Sequence, residues 1–118
     1  MIYESEAGIL YASFFDIKTD YQLHKTGNFF IETNSSEEKK GCMLTTKAEQ
    51  FLYYDPVLGK LYYLPIYPLR NWYKNKGISK KHFTVKNKNY ESEGILISLD
   101  ELLDILPTME IEEIPNLT

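Results

Sequence analysis

The sequence contains a single cysteine, Cys42, among its 118 residues. One cysteine cannot form an internal disulfide, and it cannot supply a cysteine-based zinc site. A catalytic Cys42 is also disfavoured, because only His24 and His82 could serve it as a base. Cysteine chemistry is therefore set aside as an explanation of function.

Long apolar runs are missing too. The chain nowhere contains eighteen consecutive apolar residues, and its first ten residues carry neither the basic region nor the apolar run of a signal peptide. We therefore expect a cytoplasmic protein that has no membrane partner.

What is present is the composition of a small globular protein rich in tyrosine. Hydrophobic residues make up 43% and charged residues 25% of the chain, and ten of the seventeen aromatic residues are tyrosines. A chain of this length buries one core, so we expect a single domain over residues 1–107 and an acidic, loosely held tail over residues 108–118.

Charge is distributed unevenly along the chain. Residues 1–38 contain seven acids and two lysines, residues 39–90 contain two acids and eleven basic residues, and residues 91–118 contain eight acids and no base. These segments could simply be solvated faces that balance one another. The sharper interpretation is that the basic middle meets a polyanion, while the first acidic segment holds metal ions.

Apolar periodicity and turn residues predict an α+β fold, or one similar to α/β, in which short helices flank a small mixed sheet. A turn at Thr26-Gly27-Asn28 joins the first two strands, which we expect to pair in antiparallel. Capping boxes at Thr46/Glu49 and Ser98/Glu101 precede two of the helices, and Pro68 suits the first turn of the other. The predicted strands cover residues 9–18, 29–33, 60–66, 82–85 and 94–98, and the predicted helices cover 47–55, 68–76 and 99–106.

One short stretch, "FFDIKTD" at residues 14–20, could carry chemistry. Residues two apart on a strand share a face, so Asp16, Lys18 and Asp20 would lie together. Carboxylates at that spacing could hold Mg²⁺, and the lysine could position water or stabilise charge on a phosphate. The alternative is that the strand leaves the core at Asp16 and its charges are solvated.

The surrounding motifs resemble a phage-associated group of PD-(D/E)XK nucleases similar to Holliday-junction resolvases. The runs that carry the resemblance are "DIKTDYQLHKTGNFFIE", "GCMLTTKAEQFLYY", "LYYLPIYPLRNWY" and "ESEGILISLDELL", which span most of residues 14–104. The individual tripeptides are common, and the order and spacing of the motifs carry the inference. The resemblance implies a restriction-endonuclease-like core, Mg²⁺ or Mn²⁺ as cofactor and branched DNA as partner.

The resemblance also assigns roles to residues. Asp16 and Lys18 take the (D/E)-X-K positions as catalytic residues, and Asp20 corresponds to the acid that follows. Glu32 ends the next strand and would add a carboxylate to the same metal site. The earlier acid of the family would be Glu6, with Glu4 as the alternative.

The chain departs from the family pattern in three places. Only fifteen residues precede Asp16, so the family's leading helix has almost no room and the chain resembles an N-terminally shortened member. The family's Ser-Gly-Ile is Lys40-Gly41-Cys42 here, and the acid of its Ala-Asp-Tyr is Glu49. These changes concern activity more than fold.

A basic segment without any acid runs from residue 70 to residue 88. Its lysines alternate with aromatic residues and suit contact with a phosphate backbone, although a lysine-rich surface loop would have the same composition. The candidate nucleic-acid-binding residues are Arg70, Lys74, Lys76, Lys80, Lys81, Lys86 and Lys88.

Two functions from different classes follow. The first is a metal-dependent DNA endonuclease of phage or mobile-element origin that acts on branched DNA, as a homodimer because a junction is two-fold symmetric. The second is a catalytically inactive protein of the same fold that binds and inhibits a host protein or defence complex. In either case a phage-encoded chain would act in the host cytoplasm.

Overall fold

The structure is a computed structural model that describes residues 2–4, 10–12, 15–35, 43–86 and 91–114, with the backbone alone for residues 2–4 and 10–12 and for Asp16 and Ser35. The strands are β1 (Ile2–Glu4), β2 (Leu10–Ala12), β3 (Phe15–Thr19), β4 (Asn28–Ser35), β5 (Gln50–Asp55), β6 (Lys60–Pro65), β7 (Phe83–Lys86), β8 (Glu91–Ser98) and β9 (Glu110–Glu113). The helices are α1 (Leu23–Thr26), α2 (Ile66–Asn75) and α3 (Leu99–Ile105), and a 3₁₀ turn covers Gly77–Ser79. The fold is mixed α+β, as predicted.

The larger sheet has four strands in the order β3-β5-β6-β9. β3 runs parallel to β5, and the other pairs are antiparallel, so the sheet is mixed. Tyr53 of β5 lies opposite Lys18 on one side and opposite Tyr62 of β6 on the other. Within the described residues, β3 and β9 are the two edges of this sheet.

The smaller sheet has the order β4-β8-β7 and is antiparallel throughout. β1 and β2 form a separate antiparallel pair. The expectation that the first two strands of the motif region pair with each other is therefore wrong, because β3 and β4 belong to different sheets.

The connection between β3 and β4 explains this separation. The one-turn helix α1 intervenes, and Gly27 closes it in the left-handed conformation at φ 64°, with its N–H donating to the Leu23 carbonyl at 2.8 Å. The Thr-Gly-Asn turn is thus a helix end and not a hairpin. It directs Phe29 and Ile31 toward Ile97 and Ile95 of β8, which lie directly opposite them.

Aromatic side chains join the two sheets. Phe29 of β4 packs edge to face on Tyr53 and Tyr62 of the larger sheet, with ring centroids 5.4 and 5.1 Å apart. The Tyr53 hydroxyl also donates to the Phe30 carbonyl at 2.7 Å. The core therefore lies between the sheets, and aromatic side chains form part of it.

The predicted helix at residues 47–55 is wrong, because this segment contains strand β5. Phe51 and Tyr53 are buried between the sheets, and Leu52 is buried on the opposite face. Aromatic residues of this kind favour a pleated, half-buried surface, and burial on both faces masked the alternation of a strand. The Thr46 hydroxyl accepts from the Ala48 N–H in a local turn, in place of a capping box.

Helices α2 and α3 confirm the local sequence signals. Pro68 lies in the first turn of α2, which begins two residues earlier than predicted, at Ile66. The Ser98 hydroxyl caps α3 by accepting from the Glu101 N–H at 3.2 Å. Even α2, with ten residues the longest helix in the described ranges, is too short to cross a membrane.

Part of the segment that was predicted to be a loosely held tail is a strand. Glu110–Glu113 form β9, which pairs with β6. Lys60 lies opposite Glu113 in the register, and the Tyr63 hydroxyl donates to the Glu112 carboxylate at 2.5 Å. Lys60 and Tyr63 of β6 thus lie beside acidic residues of β9, one as an opposite charge and the other as a hydrogen-bond donor.

Candidate functional site

Two positions of β3 that the sequence analysis singled out, 16 and 18, lie in register with core residues of β5. In the register Asp16 lies opposite Phe51 and Lys18 opposite Tyr53, and both aromatic side chains are buried in the core. Lys18 is half-buried, with its Nζ 5.5 Å from the centroid of the Phe51 ring. This register agrees with the prediction that positions 16 and 18 share a face, at the open edge of the sheet.

Asp20 has a local structural role just after β3. Its N–H still bonds the Tyr54 carbonyl at 2.9 Å, which continues the ladder with β5. Its Oδ1 accepts from the Gln22 N–H at 2.8 Å, a turn that leads the chain into α1. One oxygen of the predicted metal ligand is thus engaged with the backbone.

Glu32 does not lie beside β3, contrary to the sequence prediction. It belongs to β4, is 9% exposed, and lies opposite Gly94 of β8. Its Oε1 is buried and has no hydrogen-bond partner among the described residues. Its backbone carbonyl accepts from the Met43 N–H at 2.8 Å, so the segment after residue 42 covers this edge of the smaller sheet.

The four predicted metal ligands are not gathered by the described part of the chain. Glu6 lies outside the described residues, and Asp16 and the alternative Glu4 are described by their backbones alone. Within the described ranges no three His, Cys, Asp or Glu side chains are close enough to hold a metal ion together. Binding of Mg²⁺ or Mn²⁺ therefore stays a prediction that depends on Asp16 and Glu6.

The basic segment divides into engaged and free side chains. Lys80 forms an ion pair with Glu101 at 2.9 Å. Lys81 is exposed and forms no ion pair with a described residue, and its Nζ lies 5.2 Å from the centroid of the Phe83 ring. Lys74, Lys76 and Lys86 are exposed and form no ion pair with a described residue. Lys88 lies outside the described residues.

Arg70 is a structural residue and not part of the free basic surface. Its Nε donates to the Met43 carbonyl and its Nη2 to the Thr46 carbonyl, both at 2.9 Å. The guanidinium group therefore fixes the loop that covers Glu32. Sequence reasoning missed this role because the two carbonyls lie more than twenty residues away.

The aromatic residues of the basic segment anchor it to the core. Tyr73 is 5% exposed, and its hydroxyl lies 2.7 Å from His82 Nε2. Trp72 is half-buried and packs over Gly77, where an added Cβ would come within 2.5 Å of the indole ring. These contacts hold the lysines between α2 and β7 on a rigid support.

Asp55 is a buried acid that the sequence analysis did not single out. It is fully buried, its Oδ1 accepts from the N–H groups of Val57 and Leu58, and its Oδ2 has no hydrogen-bond partner in the part of the chain that the structure describes. Burial, with a smaller contribution from the negative charge of Asp55, raises the pKa of Tyr62. The Asp55-Pro56 pair, with Gly59 after it, was a turn signal that could have identified this residue.

A shallow cavity of about 170 Å³ lies where β9 meets the start of β5 and the end of β6. Glu110 is the one charged residue in its lining, and none of the predicted site residues contributes to it. The cavity therefore offers no constellation for catalysis. Its lining consists of Gln50, Tyr63, Pro65, Thr108, Met109 and Glu110.

The chain matches no protein-family model, and no curated protein and no solved structure was found to be similar to it. The resemblance to PD-(D/E)XK nucleases therefore rests on the order and spacing of its sequence motifs. Function has to be argued from the placement of the side chains.

Proposed function

We propose that the protein binds DNA through a basic surface, which we define as Lys74, Lys76, Lys81 and Lys86. The observation that carries the proposal is that these four lysines are exposed and form no ion pair with a described residue. They follow one another from the C-terminal end of α2 past the 3₁₀ turn to β7. Exposed amines that no described acid neutralises suit contact with successive phosphates.

The residue types favour recognition of DNA shape over base sequence. Lysine presents a point charge, whereas bidentate reading of guanine is typical of arginine, and the one arginine of the segment is engaged with backbone carbonyls. Glu91 lies opposite Lys86 in the register and lowers the local positive charge at that end. The strongest contacts are therefore expected around Lys74, Lys76 and Lys81, and the resemblance points to branched DNA.

Metal-dependent cleavage is the second candidate. It is favoured by the resemblance to nucleases and by the pairing of β3 as a strand, since positions 16 and 18 of a strand share one face. In this proposal Asp16 and Asp20, with Glu6, hold Mg²⁺ or Mn²⁺, and Lys18 positions the attacking water. Glu32 is left out, because β4 pairs in the other sheet.

Binding is tested by fluorescence anisotropy with a four-way junction and a linear duplex of the same sequence, in EDTA and over a salt series. Lys74→Gln/Lys76→Gln should lower the slope of log K against log salt by about two, since each phosphate contact releases roughly one counterion. Lys25→Gln/Lys47→Gln removes two exposed lysines elsewhere and is the matched control. Equal losses in both double variants would reject the basic surface as the binding site.

Cleavage is tested with the same DNAs in Mg²⁺ or Mn²⁺. An active enzyme should lose cleavage in Lys18→Ala and retain it in Lys47→Ala and in Glu32→Gln, provided that both controls stay folded. Persistence of cleavage in Lys18→Ala would exclude the β3 site. A protein that neither binds nor cuts DNA would fit the alternative proposal, inhibitory binding to a host protein.

A further inference from the structure

The outer edge of β3 is open within the described part of the chain. β5 is the one strand that pairs with it, and Ile17 at its centre is 68% exposed. An open edge presents a row of unpaired backbone donors and acceptors, which is a template for another strand.

The direction of these groups follows from the ladder with β5. The Asp20 N–H bonds the Tyr54 carbonyl, and residues of a parallel ladder alternate in direction, so positions 16, 18 and 20 turn their backbone groups toward β5. The N–H and C=O groups of Phe15, Ile17 and Thr19 consequently point away from the sheet. A strand that added to this edge would bond to these three residues.

The sequence of β3 is complementary to itself in one antiparallel register. When β3 pairs with a second copy and the pair is centred on Ile17, Ile17 lies opposite Ile17 and Phe15 lies opposite Thr19. The residues whose backbone groups point away from the sheet can then bond to one another. In the same register Asp16 of each copy lies opposite Lys18 of the other. These are the positions between the hydrogen-bonded pairs, where facing side chains come closest.

The neighbouring registers are unfavourable. If one copy shifts by one residue, the outward-pointing N–H and C=O groups of each copy face residues of the other copy whose backbone groups already bond to β5. A shift by two residues places Asp16 opposite Asp16 or Lys18 opposite Lys18, and it also shortens the ladder. Like charges directly opposite each other destabilise a strand pair.

We propose that the open edge of β3 is the interface of a two-fold symmetric homodimer, held by antiparallel β3 pairing centred on Ile17. The pairing covers the exposed Ile17, and two Asp16–Lys18 pairs fix its register. A five-residue strand pair is a small interface, so association is weak and depends on concentration. This interface does not depend on the proposed DNA binding, which uses lysines between residues 74 and 86, but it shares Asp16 and Lys18 with the proposed cleavage site.

Equilibrium sedimentation of the full chain without DNA, over a range of protein concentrations, tests the interface. Asp16→Lys and Lys18→Asp each place like charges opposite one another and should weaken self-association about tenfold. The double exchange Asp16→Lys/Lys18→Asp restores opposite charges and should restore association. A lysine on an edge strand can also serve to block pairing, and a wild-type chain that is monomeric at every concentration would assign Lys18 that role and overturn the proposal.

The backbone directions are tested by two proline variants. Ile17→Pro removes an outward N–H, so it should abolish the dimer while the protein stays folded, as far-ultraviolet circular dichroism and urea unfolding would measure. Lys18→Pro removes an N–H directed at β5 and should destabilise the fold itself. Pairing through this edge would be rejected if folded Ile17→Pro still formed dimers, or if neither Asp16→Lys nor Lys18→Asp weakened self-association.

Discussion

β3 and β4 are both edge strands of their described sheets, and each carries large apolar residues and an acid, yet one edge is open and the other is covered. On β3, Ile17 is 68% exposed, and no other described strand pairs with its outer edge. On β4, Phe29 and Ile31 are buried, and Met43 bonds the carbonyl of Glu32. The comparison teaches that a segment distant in sequence decides whether a strand acid is available for chemistry.

The largest effect is expected on the free energy of unfolding, because β4 contributes side chains to the core while Ile17 of β3 is exposed. Phe29→Ala should lower the free energy of unfolding by about 3–5 kcal/mol, because its ring packs on Tyr53 and Tyr62 and the sheets lose their contact. Ile17→Ala on the open strand should change it by less than about 0.5 kcal/mol at concentrations where the chain is monomeric. Urea unfolding of the two variants measures the contrast, and similar losses would show that β3 is not an open edge.

The second effect concerns the loop that covers β4. Arg70→Ala should cost about 2 kcal/mol of unfolding free energy, since two charge-assisted hydrogen bonds to the carbonyls of Met43 and Thr46 are lost. The salt dependence of DNA binding should stay unchanged, which distinguishes Arg70 from Lys74 and Lys76. If a folded Arg70→Ala protein showed a lower slope of log K for DNA binding against log salt, Arg70 would have to be counted as part of the basic surface.

A smaller effect of opposite sign is expected at Glu32. One oxygen of this buried carboxylate has no partner within the described ranges, so its replacement with an apolar side chain of similar length removes a desolvation penalty. Glu32→Met should therefore raise the free energy of unfolding by about 1 kcal/mol, whereas Lys18→Met on the open strand should leave it nearly unchanged. Thermal and urea unfolding without divalent cations measure both, and a marked destabilisation by Glu32→Met would show that the carboxylate has a partner in solution.

The smallest effect is a dependence on alkaline pH. The pKa of Tyr62 is raised by burial and then by Asp55, so the folded state keeps this proton at a pH where the unfolded chain releases it. The contribution is fully present below about pH 10 and is lost as the pH rises through the higher folded value. Tyr62→Phe should flatten the fall of stability above that pH, and Tyr21→Phe, at an exposed tyrosine, should not. Identical alkaline profiles for the two variants would mean that β4 does not cover Tyr62.

The parts of the fold that could be predicted have local causes. α3 begins at its Ser98 cap, and Pro68 lies in the first turn of α2, because capping bonds and proline geometry involve only neighbouring residues. β6 and β8 also lie where aromatic and β-branched residues predicted strands. The misread segment, β5, is buried on both faces and so lacks the alternation that marks a strand.

The candidate site shows the same division. The exposure of Lys74, Lys76 and Lys86 could be predicted, because lysines in an acid-free segment are solvated wherever that segment lies. The roles of Arg70 and Glu32 could not be predicted, because each depends on a loop brought close by pairing between distant strands. The sequence shows which side chains are charged, but it does not show which groups surround each of them in the folded protein.

Local sequence signals account for the α+β composition, the starts of the capped helices, the uneven distribution of charge and the alternation of acid and lysine on β3. The separation of β3 from β4, the strand at β5 and the pairing of the acidic segment Glu110–Glu113 with β6 follow from contacts between distant parts of the chain. The physical reason is that caps and turns are set by bonds a few residues apart. Strand partners and burial are set by which apolar faces meet across the whole chain.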